Sequence, residues 1–205
     1  MYEAFLEEAE WNNNVGVWYM KDLNRKVMNG EWHDLILLNE ALQEKKIARI
    51  ADEIVKSGRR IILIAGPSSS GKTTFAQRLC IQLRVNGKRP LYMGTDDYFV
   101  EREQAPVDEY GKFNFEDLDA VDVKLFNKQM NELLEGKTVD MPVFDFVKGS
   151  KRYGTRITRA EADQPIVIEG IHALNAALTG GIDDCEKYKI YISPLTTLNI
   201  DDNNR

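Results

Sequence analysis

The segment Gly66-Pro67-Ser68-Ser69-Ser70-Gly71-Lys72-Thr73 matches the spacing Gly, four residues, Gly-Lys-Ser/Thr, a pattern in which backbone groups do much of the binding. Gly66 and Gly71 tolerate conformations that turn successive N–H groups toward one point, and a helix beginning near Lys72 adds the positive end of its dipole. Such a cradle takes phosphate. The spacing therefore predicts that Gly66 through Thr73, with the adjoining Thr74, hold the phosphates of ATP or GTP. Lys72 is expected to reach the β- and γ-phosphates, and the Thr73 hydroxyl to face Mg2+. The plain alternative is a glycine-serine turn that merely opens a helix.

Three acidic residues belong with this loop. Glu169 follows the apolar run Ile166-Val167-Ile168 directly, which puts it at the carboxyl end of a strand, where ligands bind in open α/β sheets. A carboxylate there can hold a metal's water shell, whereas a strand-end acid capping the next helix is the structural alternative. The adjacent Gly170 is expected to leave room for bound phosphate. Asp96 and Asp97 follow a second apolar run, where a base accepting a hydroxyl proton could face the γ-phosphate. Aspartate after a strand is also a common turn or cap residue, and pattern alone does not choose between the two.

Other polar features carry less. Lys148, Lys151, Arg152, Arg156 and Arg159 form a basic stretch, and such runs are usually a solvated face. His172, one of two histidines, lies close after Glu169 and reads as a packed or capping residue.

These residues need a scaffold, and the hydrophobic pattern supplies one. Ile61-Ile62-Leu63-Ile64-Ala65 has no polar alternation, as in a central strand covered on both faces. Phe75, Leu79 and Leu83 then recur at helical spacing until Asn86-Gly87. Pro90 to Gly94 reads as a second strand, Asp122 to Glu135 as a helix stopped by Gly136, Pro165 to Ile168 as a third strand and Tyr188 to Ile192 as a fourth. Met141 to Phe146 and Gly154 to Thr158 look like short extended pieces around a basic turn. Before them, Leu35, Ile36, Leu38, Ala41, Leu42, Ile47, Ile50, Ala51 and Ile54 roughly follow a helical period. The expected organisation is a helical extension over 1–58 and a doubly wound, mainly parallel α/β domain over 59–205.

With 43% hydrophobic and 29% charged residues, the 205-residue chain can bury an ordinary core. Its net charge of −6 argues against nucleic acid as a main partner. No stretch approaches the ~20 apolar residues of a membrane span, and the acidic start is unlike a signal peptide, so a cytoplasmic location and no membrane partner are expected. Cys80 and Cys185 have no metal-ligand spacing and read as reduced core thiols.

Taken together, the glycine loop, Thr95-Asp96-Asp97-Tyr98-Phe99, Phe113-Asn114-Phe115-Glu116, the block from Gly136-Lys137-Thr138 to Pro142-Val143-Phe144-Asp145-Phe146, and Ile168-Glu169-Gly170-Ile171 resemble the uridine kinase family, within the uridine kinase and phosphoribulokinase group of P-loop kinases. The resemblance runs from about Ile61 to the last residue. It implies transfer of the γ-phosphoryl of ATP or GTP to the 5′-hydroxyl of a pyrimidine ribonucleoside, uridine or cytidine, as in pyrimidine salvage. It also implies Asp96 as the base, Lys72 as a catalytic cation, and Thr73, Asp96 and Glu169 around Mg2+. Glu116 would hold the ribose hydroxyls, with Phe99, Phe115 and Phe144 against the substrate. Members of the family are often oligomeric.

Departures from the family pattern stand beside these matches. The base-recognising tyrosine of Pro-Val-Tyr-Asp-Phe is Phe144 here, and the histidine that follows shortly after is replaced by Gly149, which removes hydrogen-bonding groups that would read a base. A sugar phosphate or pantothenate is an alternative acceptor. The family continues into an arginine-rich lid, whereas this sequence ends at Asp201-Asp-Asn-Asn-Arg205; a nucleotide-binding regulatory module without turnover is a further alternative. The stretch before Arg59 resembles the linker of bacterial proteins that fuse a threonyl-tRNA-synthetase-like region to a uridine-kinase-like domain, which implies that the chain is a piece of such a protein.

Overall fold

The computed structural model describes residues 2–193 and 198–200; the terminal stretch from Asp201 noted above lies outside the described residues. Contacts group the chain into two units, one holding the described residues up to Lys46 together with 198–200, the other Ile47–Ser193.

In the first unit, helices α1 (Tyr2–Val15) and α2 (Met20–Met28) precede the first half of α3 (Trp32–Ser57). Asp22 starts α2 by accepting from the backbone N–H of Trp18 and Tyr19, a cap that satisfies groups the helix itself leaves unpaired. The indole of Trp11 donates to Asn39 at 2.9 Å. The apolar period read along α3 does not mean uniform burial. Ile47, Ala51 and Ile54 are buried, whereas Ile36 and Leu38 are about half exposed at 49% and 51%.

The second unit is built on strands β1 (Ile61–Ala65), β2 (Leu91–Gly94), β7 (Ile166–Glu169) and β8 (Lys187–Tyr191), all parallel in the order β2-β7-β1-β8. Helices α4 (Lys72–Val85), α5 (Val123–Leu134) and the short α6 (Ala176–Thr179) connect them. Successive residues of β1 face opposite ways. Ile61 and Leu63 pack with Ile168, Met93 and, on α5, Phe126 and Met130; Ile62 and Ile64 pack with Val167, with Ala76 and Leu79 of α4, and with Ile47 and Ala51 of α3. Each isoleucine so buried contributes roughly 1.5–3 kcal/mol, which is why a β1 without polar alternation occupies the middle of the sheet. The doubly wound α/β arrangement expected from the sequence is the one observed.

Four short strands form two antiparallel pairs: β3 (Thr138–Asp140) with β6 (Ile157–Arg159), and inside them β4 (Val143–Asp145) with β5 (Ser150–Arg152). The basic stretch lies here and divides: Lys148, Arg152 and Arg159 are exposed, as expected of a solvated face, whereas Lys151 and Arg156 are partly buried. Lys151 is paired with Asp122 at 3.0 Å, and Arg156 pairs with Asp97 at 2.9 Å while also donating to the carbonyl of Tyr92. Asp97 in turn accepts from the backbone N–H of Phe144. One aspartate and one arginine thus tie both hairpins to the end of β2.

The thiols divide. Cys80 packs against the core, where burial pushes it up to about 11, while Cys185 is exposed rather than a core residue. Among the described residues, no helix is long and apolar enough to cross a membrane.

Cutting the tie at Arg156 strands the Asp97 carboxylate without its half-buried partner. Arg156→Ala is expected to lose about 2 kcal/mol in urea unfolding, and Arg156→Lys to recover only part of it, since an ammonium lacks the guanidinium fork. An unchanged midpoint for Arg156→Ala would show that the tie contributes nothing.

Candidate active site

Three neighbouring strands end side by side. The register pairs Ile64 of β1 with Glu169 of β7, and Glu169 with Gly94 of β2. The turn after each strand therefore opens on the same edge of the sheet: Gly66–Gly71 after β1, Gly170 after β7, Thr95–Tyr98 after β2.

The glycine loop is bent as a phosphate cradle requires. Ser69 holds a positive φ of 59° and Gly71 one of 88°; a non-glycine residue in that region stores strain of order 1 kcal/mol, a feature concentrated at functional sites. A side chain on Gly66 would fall on the carbonyl of Ile192 and lie 2.9 Å from Ser70 Oγ, so only glycine fits. Lys72 reaches back over the loop and donates to the carbonyl of Pro67 at 2.8 Å. Ser70 Oγ is buried without a hydrogen-bond partner, a polar atom that a ligand's oxygen would satisfy. Pro67, Ser68 and Thr74 are exposed around it.

Facing the loop, the Thr73 hydroxyl donates to Glu169 Oε1 at 2.9 Å, and the Tyr92 hydroxyl donates to the same oxygen at 3.0 Å. Asp96 is close enough to Glu169, Asp97 and Lys72 to feel all three. Burial first, then the Glu169 and Asp97 carboxylates, raise its pKa above the ordinary aspartate value, and Lys72 offsets only part of this. Burial and the Glu169 charge likewise keep the Tyr92 hydroxyl protonated far above neutrality. Asp97, left level with Asp96 by sequence pattern, is engaged by Arg156 and Phe144. The structure thus groups Thr73, Asp96, Glu169 and Lys72, and adds Tyr92, which sequence reasoning missed. The available signal was a tyrosine inside an apolar strand, whose hydroxyl needs a partner once buried.

Gly170 serves a purpose other than the one expected. A side chain there would fall on the Thr95 hydroxyl and lie 2.9 Å from Thr95 Cβ, so the space is taken by Thr95 and not kept for phosphate. Thr95 is buried and its hydroxyl lies 3.5 Å from Asp96 Oδ1, so Gly170 permits the turn that presents Asp96.

The aromatic residues assemble as well. Phe99 lies 5.2 Å from Phe115 and 5.6 Å from Phe144, and Phe146 lies 5.2 Å from Phe144, all as tilted or edge-on ring pairs of the kind aromatic rings prefer. Phe99 and Phe144 are buried at 6% and 5%, so much of each is spent on this packing. Glu116 is exposed, and its backbone carbonyl accepts from His172 Nε2 at 2.8 Å; among the described residues no hydrogen bond joins its carboxylate to the Thr73 group. Gly149, at φ 70°, is covered by Arg102, whose guanidinium donates to the carbonyls of Phe146 and Val147.

The model of the Phosphoribulokinase / Uridine kinase family matches residues 61–202, more than half of the chain. The chain belongs to this family. Among relatives in it, a uridine kinase of Ligilactobacillus salivarius is 32% identical over 115 residues, covering 56% of this chain and 52% of that protein. A uridine kinase of Chloroflexus aurantiacus is 36% identical over 111 residues, 54% of this chain and 51% of that protein. The chain spans about half the length of the curated relatives it matches. A solved structure described as a possible uridine kinase from Bacillus stearothermophilus superposes with a TM-score of 0.53 at 25% identity, covering 69% of this chain and 78% of that one.

Two substitutions separate stability from chemistry here. Gly170→Ala overpacks a filled site and is expected to cost about 2 kcal/mol, read by thermal unfolding, because Thr95 has to move. Asp96→Asn is expected to stabilise the fold at pH 7. The sign follows from the raised pKa: the folded chain binds more protons than the unfolded one, so stability is greatest below the ordinary aspartate value and is lost as pH rises through the folded one. The gain from Asp96→Asn should therefore shrink on acidification, and a gain that is independent of pH would contradict the like-charge crowding.

Proposed function

We infer that the chain carries the phosphoryl-transfer centre of a nucleoside kinase, moving the γ-phosphoryl of ATP or GTP to the 5′-hydroxyl of a pyrimidine ribonucleoside, uridine or cytidine. The observation that supports this most is the meeting of Lys72, Thr73, Asp96 and Glu169 at one sheet edge beside the glycine loop. Residues 59–205 would form the kinase domain, with the helical segment before them as an extension.

In this reading Gly66 to Thr74 cradle the triphosphate, and Lys72 exchanges the Pro67 carbonyl for phosphate oxygens. One hydroxyl and two carboxylates are hard oxygen donors of the sort Mg2+ takes alongside substrate phosphates and water. Among the described residues no cluster of His, Cys, Asp and Glu forms a metal cage of its own, which suits an ion shared with a nucleotide. Thr73, Asp96 and Glu169 would hold it, and when bound it would neutralise charge on the transferring group. Asp96 accepts the acceptor's hydroxyl proton; its raised pKa brings it nearer the operating pH, where a base works best. Glu116 would take the ribose hydroxyls, and Phe99, Phe115 and Phe144 the planar base.

One observation favours a second acceptor class. The donors of Arg102 are engaged by backbone carbonyls over Gly149, and the neighbouring side chains are phenylalanines, so a base would be held by contact more than by hydrogen bonds. Such a pocket discriminates weakly and could admit another hydroxyl acceptor, a sugar phosphate or pantothenate.

ADP release with Mg·ATP over a panel of nucleosides, sugar phosphates and pantothenate tests this directly. Uridine or cytidine is expected to drive turnover, with Asp96→Asn lowering kcat by about 10²–10⁴ and Lys72→Ala weakening both ATP binding and turnover. Preference for a sugar phosphate or pantothenate would overturn the acceptor assignment. Asp96→Asn at near wild-type rate would remove Asp96 from the base role, and ATP binding without any turnover would leave a regulatory module.

A further inference from the structure

Tyr92 lies on β2 opposite Val167 of β7, two residues before the Gly94–Glu169 pair. Its ring packs into the same core face as Val167, and from there its hydroxyl reaches forward to Glu169 Oε1 at 3.0 Å. That oxygen also accepts the Thr73 proton at 2.9 Å. A carboxylate with two donors on one oxygen, arriving from two different elements, has its rotamer fixed. The donors come from different elements: Thr73 lies in the first turn of α4, just after the glycine loop, whereas Tyr92 belongs to the sheet. Arg156 further anchors this residue by donating to the Tyr92 carbonyl.

We propose that Tyr92 is a positioning residue that holds the Glu169 carboxylate from the sheet, so that Glu169 presents its second oxygen to the water shell of Mg2+ independently of the loop. This rests on the reading of Thr73 and Glu169 as the metal-facing pair. Thr73 can keep donating its proton to Glu169 while offering its oxygen lone pairs to the cation, so the two hydroxyls act on the carboxylate together. Phenylalanine preserves the ring's packing and deletes only the hydroxyl, with its contacts to Glu169 and Thr73.

Calorimetric titration of ADP with and without Mg2+ reads the effect without needing an acceptor. For Tyr92→Phe, ADP affinity in the absence of Mg2+ is expected to stay within about twofold of wild type, while the gain on adding Mg2+ falls by about tenfold, the usual size of an outer-contact loss around a metal. Glu169→Gln should remove the same gain, and Tyr92→Phe/Glu169→Gln should lose no more than Glu169→Gln alone. Equal losses with and without Mg2+, or additive losses in the double variant, would overturn the proposal. A wild-type affinity that ignores Mg2+ would overturn the metal reading of the pair itself, whereas a normal Mg2+ gain with no acceptor turned over would leave Tyr92 in place and count only against the kinase assignment.

Discussion

The register of three parallel strands is the constraint from which the rest follows. Because Ile64, Glu169 and Gly94 lie in one row, the chain leaves β1, β7 and β2 at the same height, and whatever follows each strand must share one edge. Parallel strands with both faces covered tolerate little slippage, since shifting one by a residue would exchange Ile62 and Ile64 for Ile61 and Leu63 between two different packing environments. The apolar alternation that stabilises the sheet is thus what fixes the separation of Lys72, Asp96 and Glu169.

That edge gathers charge of one sign. Asp96, Asp97 and Glu169 crowd together, and the fold relieves the crowding unequally. Asp97 is neutralised by Arg156, Glu169 accepts from two hydroxyls, and Asp96 is left the least compensated. Lys72 is directed at the Pro67 carbonyl. A polyanion bound with its cation would change this balance, which fits an edge arranged for ligand more than for its own stability. The strained Ser69 backbone and the unpartnered Ser70 hydroxyl point the same way.

Much of this was legible in the sequence, for reasons that are local. The glycine loop is a contiguous pattern, and Glu169 and Asp96 stand at the ends of apolar runs long enough to read as strands. What escaped depends on partners far apart in the chain. Asp97 and Arg156 are 59 residues apart, and Tyr92 and Glu169 are 77 apart, so nothing nearby marks Tyr92 as more than a strand residue or Arg156 as more than one cation in a basic run. The three-residue strands β3 and β5 are too short to show a period. Gly170 was read as space for phosphate because its neighbour Thr95 comes from a different loop. Cys185 follows Asp183-Asp184, polar company that fits its exposure better than a core position does.

The central claim is that this edge transfers a phosphoryl group to a nucleoside and does more than bind a nucleotide. Phosphorus NMR of the protein with Mg·ATP and uridine tests it most directly, because the fate of the γ-phosphorus is followed atom by atom. The expected result is a phosphomonoester signal at the nucleoside 5′ position growing as the γ-resonance falls, with little inorganic phosphate. An unchanged ATP spectrum, or conversion to inorganic phosphate alone, would contradict it.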